Sequence, residues 1–161
     1  MDHTDRIWDI IEGSRVAMLT TKFAGGLRAR PMEARPDREA RQIYFVTDRR
    51  GQKDDEIEAE HDVGLVFTDD ASKAYLSITG RAVVLRDPAK ARDIWKKTDD
   101  VWWPGGPEDE NALILRVTPV TAELWDGPAS RAAAEYEFAK ARLTGEKPNL
   151  GENRKVTAKL Q

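Results

Sequence analysis

The sequence predicts a mainly β protein: an antiparallel barrel with short helices between and after its strands. Three observations carry this. Short runs rich in β-branched, aromatic and aliphatic residues recur along the chain, roughly six of them. Turn residues separate most of them. They do not alternate regularly with helices, as the parallel strands of a doubly wound sheet would. At 161 residues the chain has the size of one domain, and it holds no internal repeat.

Taken in order, Ile7, Ile10 and Ile11 recur at helical spacing behind the capping candidates Asp2 and Thr4, and Gly13 ends that first helix. Residues 15–21 and 27–34 read as strands, joined by a hairpin over Ala24-Gly25-Gly26. Residues 42–47 make a third strand, 51–60 a polar helical segment, 63–67 a fourth strand and 74–86 a long fifth one. Asp87-Pro88 is an N-cap followed by proline at the first helical position, and Ala91, Ile94 and Trp95 give that helix an apolar face ending near Thr98. The two prolines and two glycines of 102–107 require a loop. Residues 113–117 and 120–125 are the closing strands, joined or offset at Pro119. Ser130 caps a last helix running to about Leu143. The domain is expected to span 1–143, and the polar stretch 144–161 to be a mobile tail.

The net charge of -3 provides no basic field for nucleic acid or an anionic membrane, so neither is an expected partner. The absence of cysteine excludes disulfides and thiolate chemistry and fits a reducing compartment, so the cytoplasm is the expected location. The first six residues are polar and lack the apolar core of a signal peptide, and no stretch reaches membrane-spanning length.

His3 and His61 have no acid or hydroxyl at a spacing that would make a base and nucleophile pair, and they read as surface residues. The acid pairs Asp54-Asp55 and Asp69-Asp70 read as solvated turn and helix residues, and no metal-ligand spacing is present. Gly25-Gly26 and Gly105-Gly106 serve turns, since neither follows a nucleotide-binding spacing.

The segment Arg28-Ala-Arg-Pro-Met32 differs. Alternation puts Arg28, Arg30 and Met32 on one face, and Pro31 removes a ladder hydrogen bond. Two readings stand: an edge strand whose arginines face water, or a cationic strip beside open main chain that accepts an anionic, ring-bearing ligand. Lys53 is either an ordinary surface lysine or a second cation near a helix start. Trp102, Trp103 and Trp125 fall in or beside loops, where they serve packing or wall a planar ligand.

Several pieces also occur in a characteristic order: Arg28-x-Arg-Pro-Met32, Tyr44-Phe-Val-Thr47, Lys53, Val63-x-Leu-Val-Phe67, Tyr75-Leu-Ser-Ile-Thr-Gly80, Trp103-Pro-Gly-Gly106 and Glu123-Leu-Trp125. This resembles the general-stress branch of the pyridoxamine 5'-phosphate oxidase-like, FMN-binding split-barrel proteins, from about Ile7 to Gly127. The resemblance implies a six-stranded split barrel and a homodimer with FMN at the subunit interface. It assigns ring-edge contacts to Arg28, Arg30, Pro31 and Met32, mainly through main chain, with Arg28 or Arg30 completing the charge around the phosphate. Ribityl and phosphate contacts fall on Val46, Thr47, Gln52 and Lys53. Tyr75 and Ser77 would approach from the other subunit, and Trp125 would lie near the ring. Two departures from the family pattern are the acidic run Asp54-Asp55-Glu56 after Lys53, and Trp102-Trp103 where an aromatic pair ending in phenylalanine is more usual.

The reading is a flavin-dependent redox protein of unassigned substrate. The alternatives are a non-catalytic module binding or sensing FMN or another planar cofactor such as a deazaflavin or heme, and a barrel whose site has become purely structural. A pyridoxamine 5'-phosphate oxidase also needs the late Arg-x-His element that orients its substrate, whereas here Arg131 is followed two places later by Ala133 and both histidines lie far upstream. FMN-loaded protein incubated in air with pyridoxamine 5'-phosphate is therefore expected to form pyridoxal 5'-phosphate far more slowly than an ordinary enzyme rate of about 1 per second. Turnover at that rate would show a substrate site that these residues do not reveal.

Overall fold

The computed structural model describes residues 3–51, 57–58, 61–128, 131–157 and 160. Helix α1 (His3–Gly13) turns Ile7, Trp8, Ile10 and Ile11 into the core. Strand β1 (Val16–Phe23) then alternates, with Ala17, Leu19 and Thr21 buried and Val16 and Met18 outward. It forms a hairpin with β2 (Gly26–Glu33), paired from Phe23↔Gly26 to Val16↔Glu33, and Gly26 supplies a φ of +135° at the turn.

One residue beyond β2 the chain joins a different neighbour. The short β3 (Arg35–Asp37) pairs with β4 (Gln42–Asp48), while the Ala34 N–H still donates to the Arg15 carbonyl beside β1. Strands β5 (Asp62–Asp69), β6 (Ala74–Leu85) and β7 (Ala112–Asp126) complete the curled sheet. Its order is β2-β1-β5-β6-β7-β4-β3, and every pairing is antiparallel. Because β3 continues β2, the two ends of the order are one run of chain, and the sheet closes on itself as a split barrel. The interior holds Leu19, Phe45, Leu65, Phe67, Leu76, Leu115 and Leu124. A second, smaller cluster lies on the other side of β4, where Tyr44, Val46, Ile114 and Trp103 pack beneath α2 (Pro88–Ile94).

The mainly β, antiparallel expectation holds, with several local differences. Among the described residues the strands number eight instead of six. One addition is β3, too short to show a pattern of its own. The other is β8 (Glu152–Thr157), which lies in the stretch expected to be a polar tail and pairs with residues 121–126 of β7. Strand β4 covers only 112–117 of that edge, so the main-chain groups of 121–126 are open to another strand whatever its side chains. Leu160, beyond β8, is buried in the core. The two closing strands are one strand of 15 residues.

Helix α2 stops at Ile94 and not near Thr98. Trp95 is extended, and the chain resumes as a 3-10 turn over Lys97–Val101. The Asp99 carboxylate accepts the Lys96 N–H and so stabilises the break. Asp87 caps α2 as expected, accepting the Lys90 N–H at 2.9 Å. The last helix, α3, runs Arg131–Thr144. The polar helix expected over 51–60 lies mostly outside the described residues, although Ile57 and Glu58 are helical and Ile57 is buried. Among the described residues no helix is long and apolar enough to cross a membrane.

Where β6 meets β7 the register shifts, with Thr79 opposite Thr121 and Gly80 opposite Pro119. A Cβ on Gly80 would lie 2.6 Å from Val117 Cγ1 and 3.0 Å from the Thr118 carbonyl oxygen. Gly80→Ala is therefore expected to destabilise the fold by about 1–3 kcal/mol through overpacking, read as a lower urea midpoint. An unchanged midpoint would show that β7 moves aside at no cost.

Candidate functional site

The residues singled out in β2 lie at the edge where the barrel is split. Arg28, Arg30 and Met32 stand opposite Thr21, Leu19 and Ala17, all buried, so this strip faces the barrel interior. The three side chains are half-buried, and the Arg28 guanidinium lies 4.6 Å from the centre of the Phe23 ring. The structure thus combines the two sequence readings. β2 is an edge strand, but its arginines turn inward. Pro31 is exposed on the outer face, opposite Met18.

Pairing between β3 and β4 begins at Arg35↔Tyr44 and goes no further toward β2, although β2 passes near β4. One edge of β2 therefore carries main-chain groups that no strand among the described residues takes up. On β4, Val46 turns toward the smaller cluster beneath α2, while Thr47 follows Ile43 and Phe45 toward the interior. Thr47 is 2% exposed, and among the described residues its hydroxyl has no hydrogen-bond partner. Gln52 and Lys53 lie outside the described residues.

Tyr75, Ser77 and Trp125 form a separate group on the outer face of β6 and β7. Tyr75 and Trp125 are cross-strand partners, 47% and 39% exposed, and Ser77 lies between Val66 and Glu123. A polar clamp fixes this end of the sheet. Arg6 of α1 holds Asp126 through two bonds at 3.1 and 3.3 Å and donates to the Ser72 hydroxyl at 2.7 Å. Ser72 in turn donates to Asp69 at 2.5 Å. That hydroxyl bond, helped by the backbone N–H groups of Ser72 and Ala71, holds the Asp69 carboxyl below its ordinary range. Within one chain the inward residues Arg28, Arg30, Met32 and Thr47 and the outward group Tyr75, Ser77 and Trp125 lie on opposite faces of the sheet.

Sequence reasoning missed the network that joins the split to the tryptophan loop. Arg35 and Asp99, both buried, pair at 2.9 Å, and Arg35 also reaches Glu33 at 3.3 Å. Lys96 bonds the same Glu33, which pulls its carboxyl below the ordinary value, with Arg35 adding to the effect. Beyond Asp99 the loop buries Trp103 against Trp95, ring centres 5.9 Å apart, and leaves Trp102 exposed. No local pattern marks Arg35 and Asp99, which are 64 residues apart.

The pyridoxamine 5'-phosphate oxidase-like family matches residues 2–149, and the chain belongs to it. No curated protein sequence matches the chain. Among solved structures, a protein described as general stress protein 26 from Jannaschia sp. CCS1 is 30% identical over 96% of this chain and 97% of its own, with a TM-score of 0.80. The general stress FMN/FAD binding protein of Xanthomonas citri is 25% identical over 79% of this chain and 90% of its own, with a TM-score of 0.69. General stress protein 26 of Bacillus anthracis str. Sterne shares the fold, with 23% identity, coverage of 77% and 94%, and a TM-score of 0.69.

Because Arg35 is buried, removing its partner leaves a charge with nothing equivalent to meet it. Asp99→Ala is expected to cost about 3 kcal/mol in denaturant unfolding. A loss below roughly 0.5 kcal/mol, the range of ordinary surface substitutions, would show that Glu33 alone suffices for Arg35.

Proposed function

We propose that this chain binds FMN at the split between β2 and β4 and works as a flavin-dependent redox protein in a homodimer. The observation that carries the reading is Thr47, whose buried hydroxyl near the end of β4 has no partner among the described residues. Burying a polar group with no partner costs about 1–3 kcal/mol, and a phosphate oxygen would satisfy it.

The surrounding residues suit the rest of the molecule. Arg28 and Arg30 bring positive charge to the inner face of β2, where they would balance a phosphate. The unpaired edge of β2 offers main-chain groups to the polar rim of a flavin ring, with Pro31 and Met32 at its end. Val46 would contribute main chain, and Gln52 and Lys53 would serve the ribityl chain and phosphate. When bound, FMN supplies the electron transfer, while the chain binds the phosphate, orients the ring and excludes water. The FMN/FAD binding of the Xanthomonas citri relative supports this choice of cofactor.

Two copies are needed because Tyr75, Ser77 and Trp125 face away from the split of their own chain, and only a partner's β6 and β7 can bring them to it. The exposed Val16, Met18, Val66, Tyr75 and Trp125 on one sheet face give the second copy an apolar surface to cover.

Freshly purified protein is expected to show the visible absorption bands of FMN and, by light scattering, twice the mass of one chain. A heme or deazaflavin spectrum would overturn the cofactor, and a single-chain mass with flavin bound would overturn the two-copy site. Lys53→Glu is expected to lower FMN affinity about thirtyfold or more while leaving riboflavin affinity nearly unchanged, as befits a charge-assisted contact to phosphate alone. Equal losses for both ligands would remove Lys53 from the phosphate site.

A further inference from the structure

Gly64 lies within β5 at a position where nothing in the chain requires glycine. Its register against β6 is regular, opposite Thr79, so no bulge is present there, and against β1 it is the last paired residue, opposite Thr20. It is not among the glycines with positive φ. A Cβ there would meet Thr20 Cβ at 3.7 Å and the Ile78 carbonyl oxygen at 4.0 Å, both ordinary contacts. Glycine inside a strand is destabilising by about 0.5–1 kcal/mol relative to alanine. Its usual justifications are a bulge, a tight bend, or close approach by a ligand or another backbone. The regular register against β6 removes the first, and the β1 ladder ends at Gly64 itself, so the two strands stop pairing beside an open floor that a group from outside the chain can approach.

Above Gly64 is an open hollow of about 490 Å³, walled by Thr20, Lys22, Leu27, Asp62 and Thr79. Its only carboxylate, Asp62, pairs with Arg81 at 3.6 Å. Among the described residues Lys22 has no ion-pair or hydrogen-bond partner, and the hydroxyls of Thr20 and Thr79 flank the same floor. An ammonium and two hydroxyls around a floor with no side chain suit a compact oxyanion, which all three can hydrogen-bond.

We propose that this hollow binds the carboxylate or phosphate group of a small polar molecule. Resting on the flavoprotein reading, that molecule is the substrate. Ser77, assigned to the cofactor, is the next outward residue from Thr79 along β6, about 7 Å away.

The test is an amide NMR titration of the purified protein, with whatever cofactor it carries, using inorganic phosphate and, separately, acetate at ionic strength held constant with chloride. Saturable shifts are expected at Thr20, Gly64 and Thr79, and the tighter of the two anions identifies the group recognised. Gly64→Val, which fills the floor, is expected to abolish them, and Lys22→Met to weaken binding about tenfold or more. Both variants should keep the flavin spectrum and melt no lower than the wild type, which separates failure here from failure of the cofactor reading. No saturable shift with either anion, or equal binding by Gly64→Val, would overturn the site. So would a Gly64→Val protein that keeps anion binding and loses its dimer, because the notch would then receive the second copy. Anion binding by protein that carries no flavin would overturn the substrate role alone.

Discussion

The step from Glu33 to Arg35 governs the molecule. Over that step the chain ceases to be a partner of β1 and becomes a partner of β4, with Ala34 still bonded to the strand it is leaving. Strand pairing needs backbones within about 5 Å, and a barrel that curls between β1 and β4 cannot hold β2 that close to both. The open edge of β2 and the end of β4 at Thr47 are what that geometry leaves over. The split is thus a place where main-chain polarity is available without any side chain being sacrificed for it. The buried Arg35–Asp99 pair sits directly at the turn-over, with Glu33 and Lys96 completing it. It braces the bend against the tryptophan loop, so packing and site geometry share one set of charges.

The same economy explains β7. Its 15 residues pair with β6 along one edge, while β4 and β8 divide the other. Pro119 falls between them, after Val117 has paired with Ile43 and before Thr121 pairs with Thr157. A proline there sits where neither β4 nor β8 pairs with β7, so its missing N–H removes no ladder bond to either of them. That is why a residue that reads as a strand break interrupts only the register.

The fold was legible wherever burial is one-sided. The runs at 15–21 and 63–67 read as strands, and the observed strands alternate inner and outer residues, while Asp87-Pro88 announces a helix start through groups adjacent in sequence. The stop at Ile94 was not legible, because residues 96–100 are compatible with a helix until Asp99 is drawn to Arg35, far away in the chain. β8 was hidden for a related reason, since a polar segment becomes a strand when an unpaired edge is offered to it. Within the site, alternation grouped Arg28, Arg30 and Met32 correctly. Only the register against Ala17, Leu19 and Thr21 shows that the group faces inward. Thr47 was named through family resemblance, but its unsatisfied hydroxyl is visible only in three dimensions. Gly64 drew no notice, since a glycine matters there only once its neighbours are known to leave room.

The outer sheet face has two chemical ends set by register. Toward one end lie Val16, Met18, Val66 and the Tyr75–Trp125 pair; toward the other lie Lys22, Asp62 and Arg81, with the Gly64 notch next to them. A uniformly apolar face would favour association without fixing how the partners align. Charges at one end penalise misaligned arrangements, because they would be desolvated without partners. The residues of the proposed apolar cover and those of the proposed oxyanion site occupy successive rows of the same strands. A second copy seated on the apolar rows, as proposed, would lie beside the polar rows of the same strands.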